Sequence, residues 1–221
     1  MPLVLNSLIN QSIKADKIIL WIEKKDKEKI PSQILNFKEI QLEICENDLF
    51  SYKKIIPALK KYKNCYIITF DDDVIYFRNS VEKLVKESKK YPKDIIANCI
   101  HKIKFINSFP IRYKLWSRNY KKQTKHAFFT GGAGVLFPPN CFYKDVSKKN
   151  FFMKITPAAD DIWLNWMAKL KGTKIRYSSI KRNYEFIKLI KGGLYKKNVK
   201  QNFNDIQIKN IIKKYGFPYQ V

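Results

Sequence analysis

Cys65-Tyr66-Ile67-Ile68-Thr69-Phe70-Asp71-Asp72-Asp73-Val74-Ile75-Tyr76 joins a short apolar run to three consecutive carboxylates. A run of this length, bounded so abruptly by charge, predicts a buried strand over 65–70 that ends at a sheet edge. If the chain stays extended, Asp71 and Asp73 face one side, because strand side chains alternate. Three adjacent carboxylates repel one another unless a cation or donor hydrogen bonds offset the charge. Their hard oxygens suit Mg²⁺ or Mn²⁺ shared with a diphosphate. A solvated acidic turn capping the next helix accounts for the same letters without chemistry.

Outward from this stretch the chain alternates strand and helix signals. Pro2 with Leu5, Leu8 and Ile9 predicts a first helix, with proline in the tolerated first turn. Residues 17–22 read as a buried strand, and Ile40, Leu42 and Ile44 alternate at period two. Ser51 is a candidate cap for a helix to about Tyr62, with Pro57 implying a kink or a short first turn. Val81, Leu84 and Val85 mark the helix after the acids, and 94–98 the next strand. The rhythm predicts an α/β fold with a mainly parallel sheet. In such folds ligands bind at the carboxyl edge of the strands, where the acids lie. Residues 105–125 read as an irregular, aromatic and polar loop.

Two further stretches carry candidate chemistry. Thr130-Gly131-Gly132-Ala133-Gly134 leads into Val135-Leu136-Phe137 and Pro138-Pro139. It lacks the lysine and spacing of a phosphate-cradling loop and precedes a strand, so it predicts a tight turn, or backbone that approaches a ligand closely. Asp160-Asp161 opens a predicted helix over 160–171, with Ile162, Trp163, Trp166, Met167 and Leu170 on its apolar face and Gly172 as the stop. Asp160 suits an N-cap and Asp161 the positive end of the helix dipole; alternatively one of them is a general base.

Composition bounds the rest. The 221 residues hold 44 Lys+Arg against 19 Asp+Glu, a net charge of +25, with 45% hydrophobic residues, enough for a real core. Of the basic residues only five are arginine, which argues against a base-reading nucleic-acid surface. Cys45, Cys65, Cys99 and Cys141 form no CxxC pair, so a zinc site is not expected and free thiols in a reducing cytosol are. Neither a secretory signal nor a run of about 20 apolar residues occurs, which points to a cytoplasmic protein. Residues 169–221 carry 14 Lys+Arg against Glu185 and Asp205, and end in a predicted amphipathic helix over 205–215.

The order of these stretches resembles bacterial glycosyltransferases of the GT-A fold, of the kind that build capsule and lipopolysaccharide. The resemblance runs over most of residues 3–172, through Leu5 to Gln11, 17–22, Tyr52 to Leu59, Ile68 to Tyr76, Gly131 to Pro139 and Ala159 to Leu164. It implies a metal-dependent transfer of a sugar from a nucleotide-diphosphate donor to a hydroxyl of a saccharide or lipid-linked saccharide, in cell-surface polysaccharide synthesis. By this resemblance Asp73 is the metal ligand, Asp71 faces the same metal or the ribose, and Asp72 lies near the donor sugar. Mn²⁺ or Mg²⁺ is the implied cofactor. Lys54 points toward the donor, Gly131 and Gly132 line the donor and acceptor cleft, and Asp161 is the base of an inverting reaction with Asp160 orienting the acceptor or capping the helix.

The expected organisation is a GT-A-like catalytic domain over 1–180 and a basic helical tail over 181–221 packed on or extending it. That tail suits a peripheral contact with anionic membrane. Members of the family usually open with a further strand and loop before the first helix, so the chain is expected to be N-terminally truncated, with open strand edges, a poor donor pocket and weak activity. Two alternatives stand beside the enzyme: an inactive remnant that keeps the motifs, and a basic nucleic-acid-binding protein supported by charge alone.

Overall fold

A computed structural model describes residues 1–46, 48–179, 184–187, 198–199 and 201–219. Helix α1 (Pro2–Ile9) carries proline in its first turn and buries Val4 and Leu5. The buried Gln11 fastens its end: Nε2 donates to the Phe77 carbonyl at 3.0 Å, and Oε1 accepts the Val81 N–H at 2.9 Å. Strand β1 (Ile18–Glu23) leads through a short helix, α2 (Ser32–Leu35), to β2 (Ile40–Cys45), and the two strands pair in parallel from Ile18↔Ile40 to Glu23↔Cys45. The helix predicted from Ser51 divides into a 3₁₀ turn at Phe50–Lys54 and α3 (Ile56–Lys61). Pro57 sits in the first turn of α3, where it has no N–H to waste, and the Ser51 hydroxyl makes no cap bond.

Strand β3 (Ile67–Thr69) delivers the three acids to a turn and then β4 (Val74–Tyr76). Helix α4 (Ser80–Lys90) buries Val81 and Leu84 and leads to β5 (Ile95–Ala97). Strand β6 (Ile100–Lys102) follows, and the stretch expected to be loop holds a small hairpin, β7 (Phe105–Ile106) and β8 (Phe109–Pro110), before β9 (Ala127–Phe129) returns to pair with β6. Strand β10 (Val135–Phe137), α5 (Lys149–Ile155), α6 (Asp160–Lys171) and β11 (Ile175–Tyr177) complete the central layers. Gly172 stops α6 at φ +84°, a left-handed cap that costs other residues about 1–2 kcal/mol.

The central sheet has the order β11–β5–β10–β3. The α/β class holds, but the mainly parallel sheet is corrected to a mixed one: β10 runs antiparallel to both β3 and β5, while β11 and β5 are parallel. The cause is local. The glycine turn brings the chain in at the carboxyl edge, where Val135 starts beside Thr69 and Ala97, and β10 can then only run back.

Each of β1 and β3 has one unpaired edge among the described residues. Both line a cavity of about 1640 Å³ whose walls include Leu5, Leu8, Ile18, Leu20, Ile68 and Phe70. The main core gathers around Trp163 and Trp166 of α6 with Phe128, Phe129, Phe137 and Phe152.

Beyond residue 180 the described part of the tail is strand as well as helix. Strand β12 (Tyr184–Phe186) adds antiparallel to β4, and α7 (Phe203–Tyr215) buries Ile208 and Ile211 in the main core. Trp166 Nε1 donates to the Gly216 carbonyl at 3.1 Å. The lysine-rich part of the expected basic tail, at 181–183, 188–197 and 200, lies outside the described residues.

Candidate active site

Tyr76 organises the acidic turn. Its hydroxyl accepts the Asp71 N–H at 2.9 Å and donates to the Gly132 carbonyl at 2.8 Å, tying the acids after β3 to the glycine turn before β10. Its ring packs against Phe70, with centroids 4.3 Å apart. Phe70 in turn covers Gly134, where a Cβ would lie 2.7 Å from the Phe70 ring and φ is +95°. Only glycine satisfies both constraints. Asp71 is half-buried, Asp72 is exposed, and Asp73 is half-buried with its carbonyl accepting the Ile187 N–H at 2.9 Å. Burial, then the charges of Asp71 and Asp72, push the Asp73 carboxyl above the usual carboxylate range.

Lys54, at the end of the 3₁₀ turn before α3, reaches into the same place. Its Nζ lies 2.7 Å from Asp71 Oδ1 and 3.1 Å from Asp160 Oδ2. Burial works against the ammonium, but Asp160, Asp71 and Asp161 together hold its pKa well above the usual lysine value. Gly131 makes this approach possible, since a Cβ there would meet Lys54 Nζ at 2.9 Å and Asp161 Oδ1 at 3.1 Å. Lys54, Asp71, Gly131, Asp160 and Asp161 are thereby brought together from four separate segments.

The capping alternative for Asp160 is not what the structure shows. Ala159 occupies the cap position of α6 with no side-chain cap bond, and Asp160 is a buried first-turn residue paired with Lys54. Asp161 Oδ1 accepts the Gly131 N–H at 3.0 Å. Burial first, then the neighbouring Asp160 charge, raise the Asp161 carboxyl to about 8, against the opposing pull of Lys54 and the Gly131 N–H. Two acids adjacent in sequence therefore differ in kind: one sits in a buried ion pair, the other accepts a backbone N–H and has its carboxyl raised.

Several supporting residues escaped the sequence reading. Asn165 is fully buried; its amide donates to the Phe129 carbonyl (2.9 Å) and the Asp161 carbonyl (2.7 Å), and its oxygen accepts the Phe129 N–H (3.0 Å). It clamps the first turn of α6 to β9, which leads into the glycine turn. The signal was present: a lone amide within the apolar stripe of a helix. Tyr52 donates to the Thr156 carbonyl at 2.7 Å, and Gln207 Oε1 accepts the Ala158 N–H at 2.9 Å, so the loop entering α6 is held from both sides. These two residues carried no local signal.

Among the described residues no three His, Cys, Asp or Glu side chains gather as a metal site. Carboxylate oxygens such as those of this turn are the donors Mg²⁺ takes, with water and diphosphate oxygens completing its shell, although Asp71 Oδ1 is here engaged by Lys54. The raised Asp73 carboxyl, crowded by like charge, is a group that such an ion would neutralise. The cluster opens into the cavity between β1 and β3, whose lining includes Asp71, Asp72, Asp73, Lys54, Asp160 and Asp161.

Acids at the carboxyl edge of an α/β sheet, a glycine turn facing them and a helix opening on two aspartates define a GT-A-type glycosyltransferase domain. The chain belongs to Glycosyl transferase family 2, whose signature matches residues 2–151. Among solved structures, S. aureus TarS 1-349 is similar at 13% identity and a TM-score of 0.53, over 95% of this chain and 60% of that one. The complex of S. aureus TarS 1-349 with UDP-GlcNAc is similar at 14% identity and 0.55, over 95% and 62%. The chain thus spans about three fifths of those structures. No curated protein matches it.

Proposed function

We propose that the protein transfers a sugar from a nucleotide-diphosphate donor to a hydroxyl acceptor by a single inverting displacement, with Asp161 as the base. The observation that carries this reading is the geometry at Asp161, whose Oδ1 is held by the Gly131 N–H at 3.0 Å beside the Lys54–Asp160 pair, with burial raising the same carboxyl. With Oδ1 so held, Oδ2 is left for the acceptor hydroxyl, whose proton it takes as the oxygen attacks the anomeric carbon.

In this reading Asp160 and Asp71 hold the Lys54 ammonium as a fixed positive charge beside the donor. Asp72 faces the donor sugar from its exposed turn, and the side-chain-free Gly131 and Gly132 let donor and acceptor approach the backbone. Mn²⁺ or Mg²⁺ held by Asp73 and Asp71 would neutralise charge developing on the departing diphosphate. A nucleotide-sugar donor is supported by the similar fold of S. aureus TarS in complex with UDP-GlcNAc. A saccharide or lipid-linked saccharide acceptor, a role in cell-surface polysaccharide, a cytoplasmic location and a membrane contact through the lysine-rich tail complete the proposal. Among the described residues no helix is long and apolar enough to cross a membrane.

Two variants test the roles. Asp161→Asn should abolish transfer while donor affinity, measured by calorimetry with Mn²⁺, stays within about twofold. Asp73→Ala should lose the Mn²⁺ dependence of donor binding. Transfer by Asp161→Asn at the wild-type rate would refute the base assignment.

A further inference from the structure

The hairpin β7–β8 stands apart from the site, and the sugar-transfer reading makes no use of it. Its register pairs Phe105 with Pro110 and Ile106 with Phe109. Side chains alternate across a strand, so these two rungs face opposite ways. One face is anchored: the Phe105 ring packs 4.8 Å from His126 and 5.5 Å from Phe217. The other presents Ile106 and Phe109, 66% and 69% exposed, side by side on the last rung. Leu115, just beyond, is 52% exposed.

The tip is built rather than loose. Asn107 and Ser108 have φ of +48° and +65°, the signature of a two-residue hairpin turn whose twist matches its strands. The Ile111 N–H closes the base on the Lys104 carbonyl at 3.0 Å, and Trp116 Nε1 donates to the Ile111 carbonyl at 2.8 Å. A single exposed apolar residue is ordinary, but a cross-strand pair at a rigid tip is not.

The chain on either side of the pair is strongly basic. Residues 101–126 hold eight Lys and Arg and no acid, and none occurs anywhere between Asp94 and Asp145. Lys104, Arg112, Lys114, Arg118, Lys121, Lys122 and Lys125 are exposed. Asp205 brings a carboxylate to this segment, accepting the Tyr113 N–H at 2.7 Å.

We propose that this hairpin is a membrane wedge: Ile106 and Phe109 enter the boundary between head groups and acyl chains of an anionic bilayer, while the basic collar stays among the head groups. Two apolar side chains are far too little for a protein interface of about 800 Å² per partner, and they would be idle on a nucleic acid. An apolar tip carried on an exposed, basic and acid-free stretch matches the layered polarity of an anionic lipid surface.

Sedimentation with phosphatidylcholine vesicles, with and without phosphatidylglycerol, tests this. Wild-type protein should bind the anionic vesicles and lose binding as salt rises. Ile106→Ser with Phe109→Ser should weaken partitioning roughly 100-fold, about tenfold for each side chain no longer inserted. Lys104→Gln or Arg112→Gln should weaken it about fivefold each. Phe109→Trp should keep binding and show a blue-shifted tryptophan emission on anionic vesicles, measured against wild type. Equal sedimentation of the double serine variant and wild type would place the contact elsewhere and overturn the proposal. So would failure of wild type to bind, or a Phe109→Trp emission that vesicles leave unchanged.

Discussion

Replacing Lys54 by methionine keeps most of the side-chain stem and removes the ammonium that Asp71 and Asp160 share. Removing one partner of a buried ion pair costs about 3–5 kcal/mol, because the remaining charge stays buried without compensation. Here the Asp160 side chain is 9% exposed but Asp71 is 31% exposed, so water screens part of the second interaction. About 2–3 kcal/mol is therefore expected at pH 8. The loss should depend on pH. Lys54 opposes the rise of the Asp161 carboxyl, so without it that carboxyl keeps its proton to still higher pH while the unfolded chain has lost it, and the variant falls further below wild type as pH rises toward 8 and beyond. At pH 5 the Asp161 carboxyl holds its proton in the folded state with or without Lys54, and the gap to wild type should be smaller. Urea denaturation followed by tryptophan fluorescence reads this directly. With a slope of about 2–3 kcal/mol/M, the midpoint should fall by about 1 M at pH 8 and by much less at pH 5. An equal shift at both pH values would mean that Lys54 contributes packing rather than charge, and the electrostatic account of the cluster would fail.

The Asp161 carboxyl at about 8 implies that kcat/KM rises with pH up to that region, since only the ionised base accepts the acceptor proton. Asp160→Asn removes the second-largest cause of that shift, so the acid limb should move to lower pH; a limb that stays in place would detach it from Asp161. Asn165→Leu should cost about 2–4 kcal/mol by leaving both backbone groups of Phe129 without their buried partner, lowering Tm by about 5–15 °C. It should also lower kcat, because the first turn of α6 is no longer held to β9. A Leu variant with wild-type Tm would show that Phe129 finds other partners.

Much of the architecture was legible because its signals are local. The apolar run before Asp71, the amphipathic helix after Asn79 and the glycine stop at Gly172 each follow from the residues within one or two turns. The candidate site was legible as a set of letters but not as a set of contacts. Asp160 and Asp161 read equally well as helix-start residues, since acids favour that position whatever lies opposite. Their roles diverge because Lys54, more than a hundred positions earlier, meets Asp160, and the Gly131 N–H meets Asp161. Ser51 misleads for the related reason that a capping residue is useful only where a helix begins, and Pro57 moved that point to Ile56. The antiparallel run of β10 was hidden because strand direction follows from where a connection enters the sheet, which no periodicity records.

Composition, periodicity and motif order were thus sufficient by themselves for the α/β class, for acids at a strand end and for a resemblance to sugar transferases, because each depends on near neighbours in the chain. Tertiary structure decided which aspartate pairs with Lys54 and which has its carboxyl raised, for burial and charge are summed over every segment that converges on a point. It also decided that a stretch expected to be loop, at 105–110, is a rigid hairpin. The positive φ of two turn residues, the strand register and the packing of Phe105 against Phe217 arise only when distant parts of the chain meet.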